Sequence, residues 1–428
     1  MKFKIHTYGC KVNTYDSGLL QSRLQRDGFE AVEEQPRVHI LNSCAVTKEA
    51  TMEAVKTARR LKAKDPFALV VVTGCAAQVD TEEFVSAPGV DLVVANSHKG
   101  QIEELIRGYY NGSLRERVFK SNIFKKEDLE AGGGVELGHS RAFLKIQDGC
   151  NSFCTFCVIP FARGKSRSIT IAEIVRRVND LYQQGIREAV LTGVHIADYQ
   201  DGQKQLEDLV EALLQNTEMP RFRLSSLEPG ELSPRLLAMY AAEPRLCRHF
   251  HMSIQSANSK VLKEMKRQYT AEAVEESLLA IAEKVPGAFV GMDVIAGFPG
   301  ETDDEFLDSI ERLKRLPWTK LHVFPYSQRP GTFAARRADQ LERTTVKLRA
   351  SLLRRLSEER LEAQAKAQMG QVKRGLVLRN GSLIARDYWT LSQPSRAAIA
   401  SVENTEVDVR VIGWSKGTEL TVATLDLP

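Results

Sequence analysis

Three apolar, strand-like runs open the chain, KFKIHTYGC, RVHILNSC and ALVVVTGC, and each ends on a cysteine and leads towards a helical stretch. A fourth run, VDLVVAN at 90–96, precedes a helix beginning at Gln101. Such alternation predicts β-α units on a parallel sheet. From 111 to 140 the pattern weakens into mixed charge and Gly132-Gly133-Gly134, the composition of a linker. A second series then begins with RAFLKIQDGC, EAVLTGVHI, RFRLSSLEP, HFHMSIQS, GAFVGMDVIAGFPG and KLHVFPYSQRPG. Helical runs at 171–184, 205–215, 233–242, 271–284 and 302–315 separate them, so six strands and five helices predict an open (β/α)6 barrel. A long helical pattern at 341–368 follows, with Leu341, Leu348, Leu352, Leu356 and Leu361 roughly on one side. From Gly370 the chain turns to short alternating runs, VKRGLVL, SLIAR, VDVRVIGW and ELTVATL, the pattern of a small β-barrel. The expected class is α/β, divided into an N-terminal domain 1–110, a linker 111–138, a barrel with its connecting helix 139–369, and an all-β tail 370–428.

A length of 428 residues, with 43% hydrophobic and 27% charged positions, fits two or three domains of an ordinary soluble protein. No apolar run approaches the ~18–20 residues that span a bilayer. The N-terminus enters a strand without the apolar region of a signal peptide. Seven cysteines are an odd number for a disulfide framework, and a reducing, cytoplasmic setting is expected. Net charge is only +4, but its distribution is uneven. Between 341 and 380 ten Lys/Arg stand against four Glu, an excess suited to a polyanion such as RNA or to a solvated helix face.

Cys150, Cys154 and Cys157 lie in GCNSFCTFC, a CxxxCxxC triplet in the loop after the first barrel strand. Thiolates select iron–sulfur clusters, zinc or copper(I). Structural zinc takes four ligands in short pairs, and no fourth Cys or paired His stands nearby. Three thiolates on a cubane 4Fe–4S cluster leave one iron open. With Gly149 and Phe156 in place, the loop resembles the signature of radical S-adenosylmethionine (SAM) enzymes. Cys10, Cys44 and Cys75 lie too far apart for a local metal loop, but each closes a strand. Ligands collect at the carboxyl ends of parallel strands, so these thiols converge on one edge and can hold a second three-Cys cluster. The alternative is three unrelated buried thiols. Cys247 stands alone and reads as a packing residue.

Across nearly its whole length the chain resembles the radical SAM methylthiotransferases, which join a three-Cys domain, a radical SAM barrel and a C-terminal TRAM domain. TYGCKVNTYDS, LNSCAVTKEA, FCVIPFARGKSRS, LTGVHIADY, RLSSLEP, DVIAGFPGET and HVFPYSQRPGT are most similar to the branch acting on N6-threonylcarbamoyladenosine at tRNA position 37. The other branches typically read GCQMN or GCPKN at the first Cys, where this chain has Lys11-Val12-Asn13. The resemblance implies two 4Fe–4S clusters and SAM, which chelates the open iron of the Cys150/Cys154/Cys157 cluster and yields a 5′-deoxyadenosyl radical on one-electron cleavage. It places SAM contacts at Phe156, Gly193, Glu228, Gln255, Arg267 and Ile295, whereas Asp293 and Glu301 read as structural, Glu301 as a first-turn acid on the helix beginning at Thr302. Implied partners are the tRNA anticodon stem-loop, an electron donor such as ferredoxin or flavodoxin, and a sulfur source; no membrane is involved, and a monomer is expected. Two departures stand out: Gln255-Ser256-Ala257-Asn258 lacks the usual Gly after Gln-Ser, and RDYWTLSQP matches the TRAM pattern only loosely.

A threonylcarbamoyl group carries a carboxylate, whereas an isopentenyl group is apolar. A cation is therefore expected at the catalytic mouth, and Arg163 in PFARG and Arg329 in SQRPG are the candidates, unless they contact tRNA phosphate or brace their loops. Competing readings are a methylthiotransferase for isopentenyladenosine tRNA or a ribosomal protein side chain, and a non-enzymatic RNA-binding module with structural metal sites.

Overall fold

A computed structural model of the chain describes residues 1–127, 129, 140–379, 381–393 and 402–425. The triple-glycine stretch lies outside the described residues. The N-terminal unit is a six-stranded, all-parallel sheet of β1 (Lys2–Thr7), β2 (Glu30–Ala31), β3 (Val38–Ser43), β4 (Leu69–Gly74), β5 (Leu92–Val94) and β6 (Val118–Phe119), in the order β2-β1-β3-β4-β5-β6. β3 and β4 are buried at every position, as central strands covered on both faces must be. Separate apolar clusters fill the two sides, one around Phe3, Leu24 and Ile106, the other around Ala54, Val70 and Phe84. β2 and β6 are additions to the four strands read from sequence, and β6 lies within the stretch expected as linker.

The barrel strands are β7 (Arg141–Lys145), β10 (Glu188–Thr192), β11 (Phe222–Leu224), β12 (Ser226–Leu227), β13 (His249–Gln255), β14 (Phe289–Ala296) and β15 (Lys320–Pro325), with the short hairpin of β8 (Gln147–Asp148) and β9 (Arg167–Ser168) bracketing the CxxxCxxC loop. All barrel pairings are parallel. β11 and β12 are one strand interrupted at Ser225, so the order is β7-β10-β11/β12-β13-β14-β15, an open six-strand arrangement. Thr170, Ser233 and Thr302 cap the helices at Ile171–Gln183, Pro234–Ala242 and Asp303–Arg315, the last through a capping box with Glu305.

The long helix runs Arg343–Lys366 against β14 and β15, but its buried face is not the leucine stripe expected. Val346, Arg349, Leu353, Ser357, Leu361 and Ala365 are buried, whereas Leu348 and Leu352 are exposed. Arg349 turns inward because Glu301 is there to meet it at 2.8 Å, and Ser357 because it bonds Leu321 N at 2.9 Å. Glu301 is structural through Arg349 and a bond from Gly297 N, not as a first-turn acid of the following helix, whose first-turn acids are Asp303, Asp304 and Glu305.

The tail is a closed five-stranded barrel of β16 (Val372–Val377), β17 (Leu383–Ala385), β18 (Thr390–Ser392), β19 (Glu406–Lys416) and β20 (Glu419–Thr424). It is docked on the larger barrel. Arg221 reaches Glu188 and Glu406 at 2.8 Å each, and Arg223 lies 4.2 Å over the Tyr388 ring. No helix among the described residues is long and apolar enough to cross a membrane.

Candidate active site

The N-terminal thiols meet because the sheet register aligns the strand ends. Thr7 pairs with Asn42, and Ser43 with Gly74, so Cys10, Cys44 and Cys75 follow three neighbouring strands at one edge. Gly9 has φ +92, and a Cβ there would sit 2.5 Å from Cys44 Sγ, so only glycine lets the Cys10 turn come this close. Burial, with Cys75 beside it, pushes the Cys44 thiol up to about 12. Burial and Cys10 also raise the Cys75 thiol, and a set of thiols kept protonated this way suits a group carrying compensating positive charge, such as cluster iron.

The second set sits in the loop after β8. A Cβ on Gly149, at φ +78, would run into the Lys165 carbonyl, which explains the glycine before Cys150. Gln147 braces the loop, bonding Gly149 O at 2.7 Å and Ser166 Oγ at 2.9 Å, while its carbonyl oxygen accepts from the N–H groups of Val194 and His195. Burial, then Cys154 and Cys150, push Cys157 up to about 12. Burial raises Cys150 too, but bonds from His195 and Ser152 outweigh it and hold that thiol below its usual value. These thiols likewise fit a three-Cys cluster.

The expected SAM contacts gather around this loop from successive strand ends. Arg267 donates to Cys154 Sγ at 2.9 Å and pairs with Glu228 just past β12. Phe156 and Ile295 pack on one apolar cluster with Met265 and Phe298. Gly193 follows β10, and Gln255 ends β13 with φ +61. Sequence reading missed His195, although LTGVHIADY places it after the second strand. Its Nε2 lies 2.5 Å from Glu231 Oε1 and its Nδ1 3.3 Å from Asp198 Oδ2. His195, Glu228 and Glu231 form a compact polar group whose ligand atoms all lie within 4.8 Å of one another. Asp293 accepts from His251 Nε2 at 2.9 Å.

Both arginines expected to meet a substrate carboxylate are already engaged. Arg163 is 4% exposed, and its guanidinium donates to Asp148 at 2.9 and 3.1 Å, Asp16 at 3.0 Å, Asn13 at 2.6 Å and Cys75 Sγ at 3.2 Å. Lys145 bonds the same two carboxylates at 2.7 and 3.0 Å, so helix Lys11–Arg26 is tied by ions to β7 and the CxxxCxxC loop. Arg329 is 2% exposed and pairs with Asp80 of the N-terminal unit. Each braces the domain interface instead of offering a free fork.

Beside the N-terminal thiols, against the barrel strand ends, lies a cavity of about 210 Å³. Cys10, Cys44 and Cys75 line one side, and Thr192, Gly193 and Ser225 of the barrel strand ends the other. Lys11 lines it too; burial lowers its ammonium to about 8, Arg223 acts in the same sense, and Asp293 opposes. On the CxxxCxxC loop and the helix after it, Phe153 and Phe161 form a ring cluster with Phe124, with centroids 6.0–6.1 Å apart, Phe153 being 39% and Phe161 42% exposed.

The open barrel and its three-thiol loop define a radical SAM enzyme. Residues 144–313 match the Radical SAM superfamily, and residues 2–95 match a family described as Uncharacterized protein family UPF0004. The chain is 36% identical over 392 residues to the threonylcarbamoyladenosine tRNA methylthiotransferase MtaB of Aquifex aeolicus, covering 91% of this chain and 95% of that protein. It is 32% identical over 342 residues to a tRNA-2-methylthio-N(6)-dimethylallyladenosine synthase of Pelodictyon phaeoclathratiforme, covering 78% and 77%. The cobalamin- and [4Fe-4S]-bound structure of the radical SAM methyltransferase TsrM from Kitasatospora setae shares the fold, with a TM-score of 0.58 at 16% identity over 78% of this chain and 76% of that one. The chain belongs to the radical SAM tRNA methylthiotransferase family. Enzymes of this family carry two 4Fe–4S clusters, use SAM, act on tRNA and need a reductant.

Proposed function

We propose that the protein methylthiolates carbon 2 of N6-threonylcarbamoyladenosine at position 37 of the tRNA anticodon loop, giving the 2-methylthio derivative. The observation that carries this reading is the cavity with three thiols on one wall and radical SAM strand ends on the other, in a chain similar to MtaB. The two clusters and SAM, when bound, supply a carbon-centred radical and the sulfur to be inserted, chemistry that no side-chain acid or base can perform on an unactivated aromatic C–H bond.

The protein's own residues hold and align. Cys150, Cys154 and Cys157 would hold the barrel cluster, and Cys10, Cys44 and Cys75 the N-terminal one. Glu228 and Glu231 present carboxylates suited to the SAM ammonium, with Arg267 and His195 fixing their orientation. Phe156 and Ile295 offer an apolar wall for its adenine. The Arg163–Asp148–Asp16–Lys145 network sets the distance between the thiol sets, and positioning of this kind is the protein's main contribution to a cofactor-driven reaction. The partners are an electron donor such as ferredoxin or flavodoxin and a sulfur source that replenishes what is inserted, and the protein works as a cytoplasmic monomer. Nucleoside mass spectrometry of tRNA from cells lacking the protein tests the reading. Loss of 2-methylthio-N6-threonylcarbamoyladenosine with accumulation of its unmethylthiolated precursor is expected; loss of the isopentenyl counterpart instead would contradict it.

The anticodon loop would dock over the phenylalanine cluster, with the TRAM-like tail barrel and the exposed cations of the long helix following its phosphates. Base–aromatic stacking contributes ~1–3 kcal/mol per base. Phe153→Ala with Phe161→Ala is expected to weaken binding of the anticodon stem-loop by about tenfold or more, read by fluorescence anisotropy at fixed salt. An unchanged dissociation constant would remove the cluster from the RNA surface.

A further inference from the structure

One cation in the cavity is left over from the ion pairs that brace the two domains. Lys11 follows Cys10 and opens the helix Lys11–Arg26, so its backbone is fixed at the cavity wall beside the N-terminal thiols. Among the described residues its ammonium makes no hydrogen bond and no ion pair, although it is half-buried. The nearest charged side chains of the barrel are Arg223, Arg141 and Asp293. Those side chains have partners of their own: Arg223 points its fork at His249, 3.4 Å away, Arg141 lies 3.9 Å from Glu188, and Asp293 holds His251. Lys11 is thus the cation of this cavity wall that has no partner of its own among the described residues.

Drawing an ammonium out of water without a counter-charge is costly. A cation kept in that state at the edge of a substrate cavity marks a place where an anion arrives. The opposite wall offers hydroxyls rather than further cations. Thr192, Ser225 and Ser226 line it, and Ser225 is 4% exposed with no hydrogen-bond partner for its Oγ. One ammonium facing hydroxyls suits a single carboxylate.

We propose that Lys11 receives the carboxylate of the threonylcarbamoyl group and thereby sets the enzyme's choice against an apolar isopentenyl group. This rests on the substrate reading above. The two expected arginines are locked into the domain interface, and Lys11 takes the part the sequence assigned to them. A hydrogen bond to a charged group contributes ~1.5–3 kcal/mol, or roughly tenfold to a hundredfold in affinity.

The test uses the cluster-reconstituted protein as wild type, Lys11→Met and Lys11→Arg, with two anticodon stem-loops that differ only in carrying threonylcarbamoyladenosine or isopentenyladenosine. Dissociation constants, KM and kcat for each stem-loop, and iron content are measured. Lys11→Met is expected to weaken the threonylcarbamoyl stem-loop by about tenfold or more, to raise KM more than it lowers kcat, and to shift the ratio of the two affinities towards the isopentenyl form. Lys11→Arg is expected to recover part of that loss. A Lys11→Met protein with the wild-type affinity ratio would overturn the proposal. So would a loss of about four irons per chain, because it would give Lys11 to the N-terminal cluster. A wild type that favours the isopentenyl stem-loop would overturn the substrate reading itself, and that arm does not depend on any variant.

Discussion

Cys154→Ala is expected to abolish both SAM cleavage and methylthiolation, whereas Cys10→Ala is expected to abolish methylthiolation and leave SAM cleavage largely intact. The asymmetry follows from placement. Cys154 stands in the loop after the first barrel strand, bonded to Arg267 and through it to Glu228. Cys10 stands on a separate sheet, across the cavity from the barrel strand ends. Each three-thiol set loses a corner of its cluster when one thiol goes, and a cubane needs those ligands to stay anchored. The 5′-deoxyadenosine yield reads the first activity, and nucleoside mass spectrometry of the stem-loop reads the second. Normal 5′-deoxyadenosine from the Cys154→Ala protein would show that the two sets have been given each other's roles.

The second large effect is expected at Arg163. Its guanidinium is buried and bonded to two carboxylates that also bind Lys145, while Lys99 reaches Asp16 at 3.3 Å. These counter-charges hold Asp16 well below the usual carboxylate range, and Arg163 with Lys145 draws Asp148 down in the same way despite its burial. Removing one partner of such a network leaves charge buried and uncompensated, a loss of about 3–5 kcal/mol. Arg163→Ala is therefore expected to lower the unfolding free energy by that amount, to loosen the N-terminal unit from the barrel, and to reduce methylthiolation in proportion for both stem-loops. Arg163→Lys keeps the charge but cannot reach Asp16, Asp148, Asn13 and Cys75 at once, and so recovers only part. Denaturant unfolding gives the first quantity. A variant of wild-type stability that loses only the threonylcarbamoyl substrate would restore Arg163 as a substrate contact.

The contrast between Arg163 and the cysteines shows what a sequence of this kind discloses. Strand ends were legible because β-branched runs such as ALVVVTGC stop abruptly at a glycine or cysteine, and a parallel sheet brings such ends to one edge. β2, β6 and β18 were not, since their two or three residues lie in polar or mixed stretches with no apolar run to mark them. The buried face of the long helix was misread because the leucines suggested a stripe, whereas Arg349 and Ser357 turn inward to partners on other elements. The ion network was invisible for a related reason: Asp16 meets Lys145 and Arg163 across 129 and 147 residues of chain, and nothing local marks such a pairing. His195 stood in a quoted segment at a strand end and was open to recognition by position alone. Lys11 stood out only as part of the Lys11-Val12-Asn13 motif that differs from the other branches, until the barrel wall was set opposite it.

The most direct test of the central claim is methylthiolation by the reconstituted protein of an anticodon stem-loop carrying N6-threonylcarbamoyladenosine, followed by nucleoside mass spectrometry and set beside the isopentenyladenosine stem-loop under the same reductant and SAM. The predicted result is 2-methylthio-N6-threonylcarbamoyladenosine from the first and little product from the second; efficient methylthiolation of the isopentenyl stem-loop, with the threonylcarbamoyl one untouched, would contradict the account.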